Sequence, residues 1–165
     1  MANLICILWL AAGVLLQVLV FNRLHLEGGI VLLYLYLLLK VPIEMNRSLQ
    51  ILLGFVTGLA IDVFCNTPGM HALAASTTMW LRVPALRMYV DAEDFPAGVP
   101  SLYGLGPMLF LRYALTLILL HTVVLYVTEA FSLFHPSVLL LKVFISVALT
   151  LLTAFAVELA TGRRR

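Results

Sequence analysis

The chain has 165 residues, of which 63% are hydrophobic and 11% charged, and carries a formal net charge of +2. Its mean hydropathy is +1.09. Soluble domains run at roughly 45–50% apolar and about 25% charged, and a chain this short exposes too large a share of its surface to hide the surplus from water. The composition points to lipid as the solvent, hence to an integral membrane protein, and the small net charge argues against a nucleic-acid partner.

Six apolar segments succeed one another and predict one all-α transmembrane domain over residues 1–165, with spans at 4–22, 29–43, 48–65, 70–86, 108–130 and 137–160. The first holds no Lys or Arg, so the charged n-region of a signal peptide is missing. It reads as a membrane helix with Gln17 as its one strongly polar member. The second is interrupted by Lys40 and Pro42. Its unbroken core, 30–39, makes only about 15 Å of helix, so it crosses only if Lys40 snorkels to the interface. The third carries Asp62. The fourth is weakly apolar and rich in small residues (Ala72, Ala74, Ala75, Ser76, Thr77, Thr78), a composition suited to helix–helix contact. The fifth holds Arg112 and His121, and the sixth Lys142 and Glu158.

Residues 66–69, Asn-Thr-Pro-Gly, form a tight turn, and 132–136 join the last two spans. The long connection is 83–107, with four prolines and the acidic cluster Asp91, Glu93 and Asp94. In this topology Cys6 and Cys65 lie about 30 Å apart, near opposite faces, far beyond the roughly 7 Å that a disulfide tolerates.

Orientation follows from the basic residues. With six spans, Lys40, Arg47, Arg82, Arg87, Arg112, Arg163, Arg164 and Arg165 fall on one side, and only Arg23 and Lys142 on the other. Both termini are therefore expected in the cytoplasm.

No phosphate loop, zinc-protease histidine pair, paired-cysteine site or nucleophile elbow is present in the sequence. His25, His71, His121 and His135 are scattered. They read as interfacial or hydrogen-bonded histidines in preference to a shared metal site, which needs converging ligands. The informative stretch runs from Gly54 to Asp62. Gly54, Gly58 and Asp62 recur every four residues and share one helix face. Two glycines admit a second backbone closely, and an aspartate in a span turns to the bundle interior. Asp62 has two readings: a ligand or proton site, or a buried carboxylate that holds neighbouring elements in register. The second is preferred, because no other acidic residue sits beside it, and His71 is its candidate partner across the turn. Antiparallel neighbours five and six also suggest two ion pairs, Arg112 with Glu158 and Glu129 with Lys142. The alternative for each is snorkelling to the headgroups. The three terminal arginines fit an anionic-lipid anchor.

The run Gly58-Leu-Ala-Ile-Asp62-Val-Phe-Cys-Asn-Thr-Pro68-Gly69-Met-His71-Ala, followed by the small-residue helix and Arg82-Val-Pro84, closely resembles the rod shape-determining MreD family. Residues 17–21, the Pro42 break and the basic tail also resemble it. The resemblance implies a non-enzymatic scaffold subunit in the bacterial cytoplasmic membrane, part of the cell-wall elongation machinery that organises peptidoglycan synthesis and cell shape. It implies no cofactor and no catalytic residue. The implied partner is a single-span MreC-like protein, within an assembly that includes MreB, RodA and a class B penicillin-binding protein. The implied fold is that of the six-helix substrate-binding subunits of energy-coupling-factor transporters. Gly58, Asp62, Pro68 and Gly69 are motif positions, with Gly54 and His71 beside them. The alternative is a small-molecule binding subunit of a transporter with that fold. Those subunits dock through alanines spaced along helix one, whereas this chain has Ala11-Ala12-Gly13 there, which favours the scaffold.

Overall fold

A computed structural model describes residues 2–20, 29–91, 93, 95–130 and 136–161, with side chains from residue 7 in the first helix and from residue 137 in the last. The helices in chain order are α1 (Ala2–Leu19), α2 (Leu33–Leu39), α3 (Arg47–Cys65), α4 (Met70–Arg87), α5 (Leu102–Leu105), α6 (Pro107–Ala130) and α7 (Pro136–Thr161).

Local chemistry sets most of their ends. The Asn46 side chain accepts the Ser48 amide at 3.0 Å and starts α3. Asn66, in the left-handed region at φ 55°, stops it, and its own amide returns to the Asp62 carbonyl. Proline supplies the first residue of α6, where a missing N–H is harmless. Pro84 lies inside the last turns of α4. Its absent N–H leaves the Trp80 carbonyl without a helical donor, and Arg47 Nη2 fills the gap at 3.1 Å.

Helices α3, α4, α6 and α7 pack side by side in that order, and α1 packs against α3. Short α2 is wedged between α1 and α7 and also touches α3, α4 and α6. All of its residues but the half-buried Leu37 are buried, so α2 turns almost no surface outward. The outward faces of the surrounding helices are apolar: Leu8, Trp9 and Leu19 on α1, Val63 and Phe64 on α3, Leu140, Phe144 and Leu152 on α7. Three stretches, Arg47–Cys65, Pro107–Ala130 and Ser137–Thr161, are long and apolar enough to cross a membrane. Arg47–Cys65, at 19 residues, spans about 28 Å of helix, close to the hydrocarbon thickness of a bilayer.

The second apolar segment departs from expectation. It is helical over Leu33–Leu39 alone, where a helix through 29–43 was predicted. The cause lies in distant side chains. Hydroxyls of Ser146 and Thr150 on α7 accept the amides of Ile30 and Leu32 at 2.9 and 3.1 Å, which holds the preceding backbone out of the helix. Tight returns from Lys40 to Leu37 and from Val41 to Leu38 then close the other end ahead of Pro42. The long connection also contains more order than expected: α4 runs through Pro84 to Arg87, and a single turn, α5, precedes α6.

Candidate functional site

The motif residues converge on the α3–α4 hairpin. Gly54 and Gly58 face α4 so closely that neither has room for a side chain. A Cβ on Gly58 would lie 2.6 Å from the Ala72 amide nitrogen and Cα, and one on Gly54 2.9 Å from the Ala75 carbonyl. One turn further along the same face, Asp62 is buried at the start of α4. Its Oδ2 accepts the Ala72 amide at 2.8 Å. Its Oδ1 accepts the His71 amide at 3.1 Å, lies 3.0 Å from His71 Nδ1 and takes the Thr67 hydroxyl.

This arrangement explains why an aspartate stands in a span. Gly69 is the N-cap of α4, at φ 82°, and has no side chain with which to hold the free amides of the first turn. Asp62 reaches across from the preceding helix and supplies the missing acceptor, with a charge that suits the positive end of the α4 dipole. Two amides and the Thr67 hydroxyl donate to this carboxylate, and an ionised carboxylate only accepts, so the 3.0 Å contact makes His71 Nδ1, in its protonated tautomer, the fourth donor. Pro68 and Gly69 form the turn that brings the two helices into this register. The predicted Asp62–His71 contact is present, and both groups are engaged in holding the hairpin. Beside the turn a shallow cleft of about 380 Å³ opens between α4 and α6, lined by Pro68, Gly69, Met70, Leu73, Thr128 and Glu129.

A second polar system surrounds α2. Gln17 on α1 acts at its start: Oε1 accepts the Leu33 amide at 2.7 Å while Nε2 donates to the Val31 carbonyl at 2.8 Å. At its end Arg82, 1% exposed, places its guanidinium between three helices. Nε donates to the Tyr113 hydroxyl at 2.7 Å, Nη1 to Gln50 Oε1 at 3.4 Å, and Nη2 to the carbonyls of Leu39 and Val41. The cation thus sits on the negative end of the short helix. Gln50 Nε2 completes the cap on the carbonyls of Ile43 and Met45. On the flank, Glu158 of α7 pairs with Lys40 and accepts the Tyr36 hydroxyl at 3.1 Å. At mid-height the Tyr34 hydroxyl donates to His121 Nε2 at 2.6 Å, while His121 Nδ1 lies 3.1 Å from Thr78 Oγ1. Thr78 spends its own proton on the Ala74 carbonyl at 2.7 Å, which assigns the imidazole proton to Nδ1. Among the described residues no buried side-chain nitrogen or oxygen lacks a partner, which is what a lipid surrounding requires.

Sequence reasoning missed this second system. It placed Arg82 among the basic residues of the membrane face, and the structure buries it in the core. It offered Arg112 as the partner of Glu158. The structure pairs Glu158 with Lys40, because α2 inserts against α7 and brings its last residue to the carboxylate. The Glu129–Lys142 pair is present at 3.7 Å on the surface. The lone glutamines Gln17 and Gln50 in apolar runs were the available signal, since each was bound to seek a backbone. His25, His135, Arg23, the side chain of Cys6 and the basic tail lie outside the described residues, and among those described no three metal-ligating groups cluster.

No family model matches the chain, and no curated protein or solved structure matches it either. The functional reading therefore rests on the residues themselves.

Proposed function

We propose that this chain is an MreD-like scaffold of the bacterial cytoplasmic membrane, which holds a single-span MreC-like protein within the cell-wall elongation machinery alongside MreB, RodA and a class B penicillin-binding protein. The supporting observation is that Gly58, Asp62, Pro68, Gly69 and His71, the residues that carry the resemblance, form one packed unit. Each has a structural task there. The glycine admits α4, the aspartate caps it, and the Pro-Gly turn sets the register. Such a unit presents a fixed outer edge. In lipid, partner helices are held by close packing and a few polar bonds, so a rigid edge with apolar helix faces beside it suits a lateral partner.

In this proposal α1, α3, α4, α6 and α7 cross the bilayer and α2 with its flanks makes a broken sixth crossing, for the six that the energy-coupling-factor substrate-binding subunits have. Both termini are cytoplasmic and the 66–69 turn faces outward. Single-cysteine labelling at Thr67 tests the orientation: reaction with an impermeant maleimide from outside intact spheroplasts is expected, and reaction only after lysis would reverse it. Co-expression with a tagged MreC-like protein, followed by purification in mild detergent, tests the function. A stable complex is expected. Failure to co-purify or crosslink, together with a small molecule retained by this chain alone, would replace the scaffold with a transporter-type binding subunit.

A further inference from the structure

The connection from α4 to α6 folds back over one end of the bundle. The Ile43 amide donates to the Gly98 carbonyl at 2.8 Å, which ties the connection to the turn after α2. Phe95, Leu102 and Leu105 pack against the core. Gly98 and Gly106, both at positive φ, mark the ends of this strap. Beneath it lies the Lys40–Glu158 pair, with the carboxylate 2% exposed and the ammonium 25%.

The two oxygens of Glu158 serve different elements. Oε1 takes Lys40 and Tyr36, at the end of α2. Oε2 takes the Leu102 amide, at 3.4 Å, from α5 in the strap. One carboxylate near the end of α7 therefore ties down both the broken helix and the strap above it. We propose that Glu158 is a latch that couples the two, so that release of α2 from the carboxylate lifts strap 98–106 and release of the strap loosens α2. The physical basis is shared orientation and shared desolvation. The carboxylate plane that satisfies Lys40 is also the one that points Oε2 at Leu102. With the strap seated, water is kept from the carboxylate and its attraction for Lys40 strengthens, and an opened strap hydrates the carboxylate and weakens that attraction.

The test uses the full chain in membranes, with Cys6 and Cys65 replaced by serine and one reporter cysteine at a time. Leu102→Cys reports on the strap, Ile43→Cys on the end of α2, and Thr128→Cys on the opposite end of the bundle. Maleimide labelling rates are compared with Glu158 intact, with Glu158→Gln and with Lys40→Met. Glutamine keeps the shape of the carboxylate but has one acceptor oxygen, so it serves one side well and offers an NH₂ to the other. Coupling predicts that either variant speeds labelling at both 102 and 43 by about tenfold, the factor that one hydrogen bond to a charged group commands, with the rate at 128 unchanged. The decisive arm is Lys40→Met read at 102, because Lys40 bonds the other oxygen. A rise at 43 without one at 102 would overturn the latch, as would a rise at only one position in Glu158→Gln. An equal rise at 128 would also overturn it, since the change would then be general loosening.

Discussion

Gly58→Ala should damage this protein more than its size suggests. A Cβ at this position would lie 2.6 Å from backbone atoms of Ala72 and closer still to the His71 carbonyl oxygen, while ordinary contact begins near 3.4 Å, so α3 and α4 must part by at least about 0.8 Å. Backbone cannot yield as a side chain does. The same displacement acts on Asp62, one turn along. Added to the 2.8 Å Ala72 bond and the 3.1 Å His71 bond, it gives about 3.6 and 3.9 Å, both outside hydrogen-bond range. Each bond to the carboxylate is worth ~1.5–3 kcal/mol, so even partial relaxation leaves a loss of about 3 kcal/mol. At ~2–4 °C per kcal/mol for a chain of this size, the melting temperature should fall by roughly 6–12 °C. Gly54→Ala is the internal control. Its Cβ meets the flexible Met79 side chain at 2.7 Å and the Ala75 carbonyl at 2.9 Å, and no capping bond lies within one turn of it towards Asp62. It should lose ~1–2 kcal/mol, in the ordinary range for overpacking. The assay is heat challenge of detergent-solubilised protein followed by fluorescence-detected size exclusion. A Gly58→Ala protein as stable as the parent, or less affected than Gly54→Ala, would refute the close-packing argument.

At Asp62 the two substitutions should separate. Asp62→Asn keeps one acceptor oxygen for His71 and Thr67 but turns an NH₂ towards the Ala72 amide, so it should lose about one charged hydrogen bond, ~1.5–3 kcal/mol. Asp62→Leu abandons all four donors and should accumulate far less protein at equal transcription, read by immunoblot of membranes. Equal damage from the two would point to a charge-dependent task in place of the cap. Arg82→Met should leave the Val41 carbonyl and Gln50 Oε1 without a donor inside the bundle, while the Leu39 carbonyl keeps the Tyr113 hydroxyl, and should lower the melting temperature by roughly 4 °C or more, since a buried unsatisfied group costs ~1–3 kcal/mol and two are left. A shift within about 2 °C would mean that the guanidinium is dispensable there.

The α3–α4 hairpin was legible because its rules are local. Glycines four apart, an aspartate one turn on and a Pro-Gly turn all lie within a short stretch, and helical periodicity alone puts them on one face. The positions of α6 and α7 were legible from length and hydropathy. The broken helix was visible only as a defect, an apolar core too short to cross. What replaces the missing turns comes from Ser146 and Thr150, and such pairings at a separation of more than a hundred residues leave no periodic trace. The same blindness misassigned Glu158. Chain order makes α6 its neighbour, whereas the insertion of α2 hands it Lys40. Arg82 was read by the rule for basic residues near a membrane face, and that rule does not see a helix end that needs a cation.

The broken helix also constrains how the protein can be made. Its amides at 30 and 32 and the side chains of Lys40 and Tyr36 find their partners on α7, which leaves the ribosome after the other described helices. Until α7 arrives, the second segment has polar backbone that lipid cannot satisfy. It must wait at the interface or in the insertion machinery while α3, α4 and α6 assemble. The α3–α4 hairpin, by contrast, has the glycine contacts and the Asp62 cap between its own two helices as soon as residue 87 is out, and it can serve as the first fixed piece. Assembly is therefore closed by α7: a ribosome stalled before residue 146 carries a hairpin whose internal cap is formed and a second segment that still lacks its partners.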